Sequence, residues 1–339
     1  MATIKEVAQH AGVSVATVSR VVNKSGYVSV NLEERVRAAM RELNYKPSAL
    51  ARSLRRQVTQ TIGVLVPQLD QPFFSTLAFA VEKTLFSKDY RALVCSSEES
   101  REKEDAYIDI LLRQRVDGVV LAPTGHNTEN VHRLVDGGVP VVIVDRDLPH
   151  VPVNRVLTTN YEGASSGARY LFDLGHRRIA LIGGAPHSEA MNHRLEGARQ
   201  ALISAGYPPP DDMVVVNTLP EFEDSYQAAL RLLSRPPEER PTGIFALNDV
   251  MAMGVYHAAS ELGLTLPDDL SIVGFDDIPA ARYIVPGLTT VAQPIYQMGE
   301  AAALTLIRHI QDDSLPLETI ELETRLVIRG STAQMEPAR

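Results

Sequence analysis

Hydrophobic spacing divides the chain near residue 60. Ile4, Val7, Ala8 and Ala11 recur at helical intervals and predict one apolar helix face. Gly12 follows, able to take the left-handed conformation that ends a helix. Ser14 is placed to cap a second helix, with Val15, Val18 and Val22 as its buried stripe. Ala8 and Ala11 are small enough for these two helices to cross closely. Leu32, Val36, Ala39, Met40 and Leu43 predict a third helix that closes a three-helix core. Pro47 then opens an Ala-, Leu- and Arg-rich segment through Arg56, a helix too short to be stable alone.

Beyond a polar linker at Gln57–Gln60 the pattern becomes continuous apolar runs separated by helical stretches. Ile62–Pro67, Ala92–Cys95, Val116–Leu121 and Val139–Asp145 read as strands, with helices over Phe73–Leu85, Arg101–Arg115 and Glu129–Val135. The series repeats with Arg178–Gly184, Met213–Val216, Gly243–Leu247 and Leu270–Asp276, alternating with helices over Glu189–Ala205, Ser225–Leu233 and Asp249–Leu262. Such alternation predicts parallel sheets covered on both faces and wound right-handedly. Two α/β units in tandem imply a two-lobed clamp. Thr289–Pro294 and a helix over Tyr296–Ile310 are expected to return to the first lobe.

Charge sharpens the division. Residues 1–56 carry ten Lys or Arg side chains against four Glu, a net +6, while the whole chain is −9 and residues 57–339 are −15. A basic head on an acidic body confines attraction for nucleic acid to one end. The outward residues of the second helix, Ala16, Thr17, Ser19, Arg20 and Asn23, are of the types that reach base edges and phosphates in a major groove.

At this point the chain resembles the LacI/GalR family of transcriptional repressors, nearly end to end. The residues that carry the resemblance are Ala2–Ala8, Val13-Ser14 with Thr17-Val18-Ser19 and Val22-Asn23, and Tyr45-Lys46-Pro47 with Ala49, Ala51-Arg52 and Leu54. Head and hinge are particularly similar to the purine-repressor branch. The resemblance implies a helix-turn-helix head (1–46), a hinge helix and linker (47–60) and a periplasmic-binding-protein-like effector and dimerisation domain (61–339). Its N-lobe is expected over about 61–160 plus 290–320, and its C-lobe over about 161–289 plus 321–339. It also implies that Val15, Ala16 and Arg20 face bases, and that Thr3, Ser14, Thr17, Ser19, Asn23 and Lys24 sit on phosphates. Ala51, Leu54 and Arg55 would enter the minor groove, with Leu54 as an apolar wedge whose unstacking cost is offset by contacts on bent DNA.

Doubly wound sheets bind ligands at the carboxyl ends of their strands. Asp70, Asp145-Arg146, Asn248-Asp249 and Asp276-Asp277 lie there, and Arg194 sits in the helix after Gly183-Gly184. The resemblance assigns effector contact to Phe73 or Phe74, Arg146, Arg194, Asn248 and Asp276. Carboxylate and guanidinium groups would fork around hydroxyls while an aromatic face covers a ring. Asp249 could instead cap its helix, Asp277 shape a turn, and Arg194 pair with Glu189 or Glu196. Val144-Asp145-Arg146 is similar to sugar-responsive members, so a pentose or hexose is the first expectation. A purine or nucleoside is the second, and two arginines leave room for a sugar phosphate.

No cofactor or metal is expected. Cys95 alone allows no intramolecular disulfide and no multi-cysteine zinc site, and reads as a small buried hydrophobe. His187 and His193 lack ligand spacing. The N-terminus has no secretory pattern and no run of 18 apolar residues occurs, so a cytoplasmic, nucleoid-associated protein without membrane contact is expected. That argues against the rival reading as an exported solute-binding protein. With no phosphate-cradling glycine loop, an enzyme is not expected. The expected assembly is a homodimer on a pseudo-palindromic operator, since no leucine heptad is appended for tetramers.

Overall fold

The computed structural model describes residues 2–23, 26–45, 59–125, 128–184, 188–216 and 221–335, and the chain forms two compact units divided after Thr59. In the first unit, α1 (Ile4–Ala11), α2 (Val15–Asn23) and α3 (Val30–Glu42) pack around Val7, Ala8, Ala11, Val18, Val21, Val36 and Ala39. Thr3 accepts the Glu6 amide and Glu6 returns to the Thr3 amide, a reciprocal cap on α1. Gly12 ends α1 at φ 64°, ψ 42°. Arg35 of α3 donates to the carbonyls of Ala11 (2.7 Å) and Gly12 (3.3 Å), satisfying the end of α1 from another helix. One expectation fails: Val15 is 41 % exposed, and Val21 (7 %) takes its place beside Val18 (0 %) in the core. The first turn of α2 projects from the bundle, so its apolar stripe starts one turn later.

The second unit holds two six-stranded sheets. The first has the order β11-β5-β4-β3-β1-β2, all parallel, from β1 (Thr61–Val66), β2 (Arg91–Ser96), β3 (Gly118–Leu121), β4 (Val141–Val144), β5 (Asn154–Thr158) and β11 (Thr319–Leu322). The second has the order β12-β10-β9-β8-β6-β7, from β6 (Ile179–Ile182), β7 (Val214–Val215), β8 (Gly243–Ala246), β9 (Ser271–Asp276), β10 (Thr289–Ala292) and β12 (Arg325–Val327). It departs from the all-parallel expectation at its edge, where β12 runs antiparallel to β10. The inner strands β3, β4, β6, β8, β9 and β10 are buried along their whole length. Helices cover each sheet on both faces, which is why these strands read as unbroken apolar runs.

The chain passes between the sheets at three places: from β5 into the helix Asn160–Asp173, from β10 into the helix Ile295–Gln311, and from β11 to β12. This corrects the lobe expected for Thr289–Pro294. The strand Thr289–Ala292 pairs with β9 in the second sheet, and the return to the first lobe begins with the helix after it. Cys95, expected buried, lies only partly buried on the edge strand β2, with its thiol pushed up by burial.

Candidate functional site

In the head, the capping chemistry leaves a polar surface on α2. The Ser14 hydroxyl accepts the Thr17 amide (3.1 Å) and pairs with the Thr17 hydroxyl (2.9 Å), fixing both side chains at the N-terminus of α2. Thr3, Ser14, Val15, Ala16 and Arg20 are exposed, and Thr17 and Ser19 partly so. A helix whose first turns present small residues, hydroxyls and an arginine has the groove-reading composition expected of it. Asn23 closes α2. Lys24, Ala51, Leu54 and Arg55 lie outside the described residues.

In the second unit, all six predicted effector residues border one cavity: Phe73, Phe74, Arg146, Arg194, Asn248 and Asp276, joined by Gln68, Gln71, Asp145, Ser188, Ala190 and Met191. The elements explain the convergence. Gln68 and the two phenylalanines follow β1, Asp145-Arg146 follow β4, Asn248 follows β8 and Asp276 ends β9, so each sits at a strand's carboxyl end. Phe73 and Phe74 meet edge to face with ring centroids 5.1 Å apart. Asp145 (φ 67°) and Asp276 (φ 113°) occupy left-handed backbone, which turns them off their strands into the cleft. The cavity is about 30 Å³, room for roughly one or two waters, against the ~300–1,000 Å³ of ordinary small-molecule sites. As it stands the cavity is too small for a ring-sized ligand.

Arg194 does not pair with Glu189 or Glu196. Its Nε donates to Asn160 Oδ1 (2.7 Å), and its Nη1 to Leu247 O (2.9 Å) and Asp276 Oδ1 (3.0 Å), with the guanidinium 3.9 Å over the Phe275 ring. Asp276 also accepts from Gln293 Nε2 (2.8 Å), and Gln293 Oε1 accepts from the Thr158 hydroxyl (2.6 Å). Asn160, Thr158 and Gln293 all stand at crossings between the lobes. The carboxyl ends of the second lobe are thus hydrogen-bonded into the hinge. Burial raises the Asp276 carboxyl to about 6 against the pull of Arg194.

Arg146 forks onto Glu99, Nη1 to Oε2 (2.9 Å) and Nη2 to Oε1 (2.6 Å), and lies over the Phe74 ring. Among the described residues, three buried side-chain polar atoms have no hydrogen-bond partner: Gln68 Oε1, Asp145 Oδ1 and Arg146 Nε. All three belong to residues lining this cavity. Buried polar groups are satisfied almost everywhere, so orphans gathered at one cleft make it the candidate ligand site.

Asn248, and not Asp249, caps the helix Asp249–Glu261, by accepting the Met251 amide (2.7 Å). Asp249 is fully buried, accepting the Ile278 amide (2.8 Å) and the Thr290 hydroxyl (2.6 Å). Burial, then the nearby Asp276, hold its carboxyl well above the usual range. Asp277 binds Arg329 (2.6 Å), and Asp70 is exposed outside the cavity lining. A cavity of about 500 Å³ beside the crossings, bordered by Asp277, Arg282, Tyr283 and Tyr296, contains none of the orphaned atoms. No cluster of three metal-ligating side chains occurs among the described residues; His193 is exposed and His187 lies outside them. Sequence reasoning missed Gln68, Glu99, Asn160 and Gln293, which sit in loops or crossings where no periodicity marks them.

Comparison with known proteins agrees with both units. Residues 3–48 match the lacI family of bacterial regulatory proteins, and residues 168–332 match the periplasmic binding protein-like domain. The chain is 38% identical to the HTH-type transcriptional repressor PurR of Proteus mirabilis (strain HI4320), over 98% of this chain and 97% of that one. Among solved structures, the lac repressor dimer bound to operator and the anti-inducer ONPF has a TM-score of 0.84 at 28% identity, covering 98% of this chain and 99% of that one. A LacI family regulator from Enterococcus faecium with bound ribose has a TM-score of 0.74 at 33% identity, covering 81% of this chain and 100% of that one. No helix among the described residues is long and apolar enough to cross a membrane. A three-helix reading head, an effector clamp with orphaned polar atoms, and relatives of nearly equal length converge on one conclusion: the chain belongs to the lacI family of bacterial regulatory proteins and is a DNA-binding transcriptional repressor, not an enzyme.

Proposed function

We propose that this repressor is a homodimer whose hold on a pseudo-palindromic operator is set by a monosaccharide of the ribose class bound in the cleft. The observation that carries the effector reading is the trio of orphaned atoms, two acceptors and one donor. Hydroxyls both donate and accept, so adjacent hydroxyls of a sugar can serve all three, while Phe73 and Phe74 face the ring. Ribose bound to a 33% identical regulator supports the same class. In the head, Val15, Ala16 and Arg20 contact bases. Thr3, Ser14, Thr17, Ser19, Asn23 and Lys24 contact phosphates, and Ala51, Leu54 and Arg55 contact the minor groove. A protein that acts on the chromosome in this way works in the cytoplasm, at the nucleoid.

A second reading is favoured by the 38% identity to PurR: a purine that tightens operator binding. Operator titration at fixed salt with D-ribose and with purine bases separates the two. Tenfold weakening by ribose, about 1.4 kcal/mol of coupling, supports the sugar reading; tightening by a purine with no effect of ribose overturns it. On the same operator Arg20→Ala is expected to cost about 1–3 kcal/mol and relax one base preference. Equal loss on random DNA would remove Arg20 from base readout.

A further inference from the structure

The two cleft arginines differ from bare anion receptors in being already neutralised. Arg194 is charge-paired with Asp276, and its Nε and Nη1 are committed to Asn160, the Leu247 carbonyl and Asp276. Arg146 presents its two terminal nitrogens to the two oxygens of Glu99, and that guanidinium is 7 % exposed. Asp145 lies alongside, its Oδ2 at 4.0 Å from Arg146 Nε and its Oδ1 orphaned. Glu99 is held in place by its loop. Ser97 is tied to the Val66 carbonyl and to the Thr124 hydroxyl, and Ser100 caps the next helix. Between them Glu98 (φ 50°) and Glu99 (φ 54°) take the left-handed backbone that non-glycine residues seldom adopt. The cleft thus gathers Glu99, Asp145 and Asp276 against Arg146 and Arg194, and the three fully buried atoms left without a partner there are two acceptors and one donor.

We infer that Glu99 is a specificity-determining residue that makes the cleft a charge filter, admitting uncharged hydroxylated effectors and rejecting their phosphorylated forms. A phosphate offers acceptors alone. It could engage Arg146 Nε, while its charge faces Asp145 and Glu99, and both guanidinium charges are already paired with carboxylates. Discrimination of this kind comes from building an unpaired charge against the wrong ligand. The room for a sugar phosphate that two arginines suggested in the sequence is closed by Glu99. This inference rests on the cleft being the effector site.

The test is calorimetric titration of the full-length protein, and of Glu99→Gln and Glu99→Asp, with D-ribose and D-ribose 5-phosphate. Wild type is expected to bind the phosphate at least a hundredfold more weakly than the free sugar. Glu99→Gln should narrow that ratio at least tenfold, and Glu99→Asp, which keeps the charge, should retain it even if both affinities fall. Thermal melting identifies variants that fold. A wild-type ratio within tenfold, or a folded Glu99→Gln with an unchanged ratio, overturns the filter. If neither ribose compound binds and a purine base does, the sugar reading fails. The filter is then decided by the same ratio for adenine, guanine and hypoxanthine against their nucleoside 5′-monophosphates.

Discussion

On the second-lobe wall of the cleft, Arg194 commits Nε and Nη1 to Asn160, Leu247 and Asp276, and Asp276 in turn holds Gln293. On the first-lobe wall, Arg146 keeps Nε unpartnered beside the orphaned oxygens of Asp145 and Gln68. One wall is tied to the crossings; the other holds the buried atoms left without a partner. In the proposed effector complex a ligand gains bonds to the orphaned atoms of the first lobe, whereas on the second it competes with bonds that reach the hinge. Affinity and transmission are assigned to different walls, and that assignment can be broken experimentally.

The largest effect is expected from Arg194→Ala. It leaves Asp276 with less compensation and strips Asn160 Oδ1 and Leu247 O of a donor, so urea unfolding should show a loss of about 3–5 kcal/mol. A loss below about 1 kcal/mol would mean that the second wall is not a structural unit. Asp145→Ala should do the opposite. Its orphaned oxygen contributes no bond to the fold, so stability should stay within about 1 kcal/mol of wild type. Sugar affinity should fall by about 1.5–3 kcal/mol, roughly ten- to a hundredfold in calorimetry. Equal losses of stability and affinity would erase the difference between the walls.

The smallest effect concerns pH. Burial raises Asp276 from the ordinary 3.8 to about 6, so the folded chain keeps a proton that the unfolded chain has released. Its contribution to stability therefore falls as pH rises from 3.8 to about 6 and is flat above. Urea midpoints of Asp276→Asn, compared with wild type across that window, should lack this slope. Parallel curves would show that Asp276 titrates alike in both states.

What was legible in the sequence followed from burial. The inner strands are covered on both faces and appear as runs such as Val141–Val144, and the residues right after them, Arg146, Asn248 and Asp276, were placed correctly at the cavity. The crossing strands escaped. β5 and β11 alternate buried or half-buried residues with more exposed ones over four or five positions, too short to stand out from loop. Gln293 looked like part of a return to the first lobe because nothing local reveals that β10 pairs with β9. Glu99 carried no signal, since its importance comes from Arg146, 47 residues away. Val15 shows the converse: helical spacing made it core, but only packing against α1 and α3 decides which turn of α2 is covered.

The crossings also set a timetable for synthesis. The first sheet needs β11 as its edge, and the helix Ile295–Gln311 buries Met298, Ala302, Ala303 and Leu306 against Ile62, Val64, Val120 and Val142. A ribosome that has finished β5 at Thr158 must build five of the six strands of the second sheet before it delivers those parts. At about 5–20 residues per second this leaves roughly 8–30 s in which that face of the first sheet has only the Pro72–Ser87 helix as cover. The nascent first lobe therefore waits with apolar surface uncovered, and the two sheets finish almost together, β11 closing the first just before β12 closes the second.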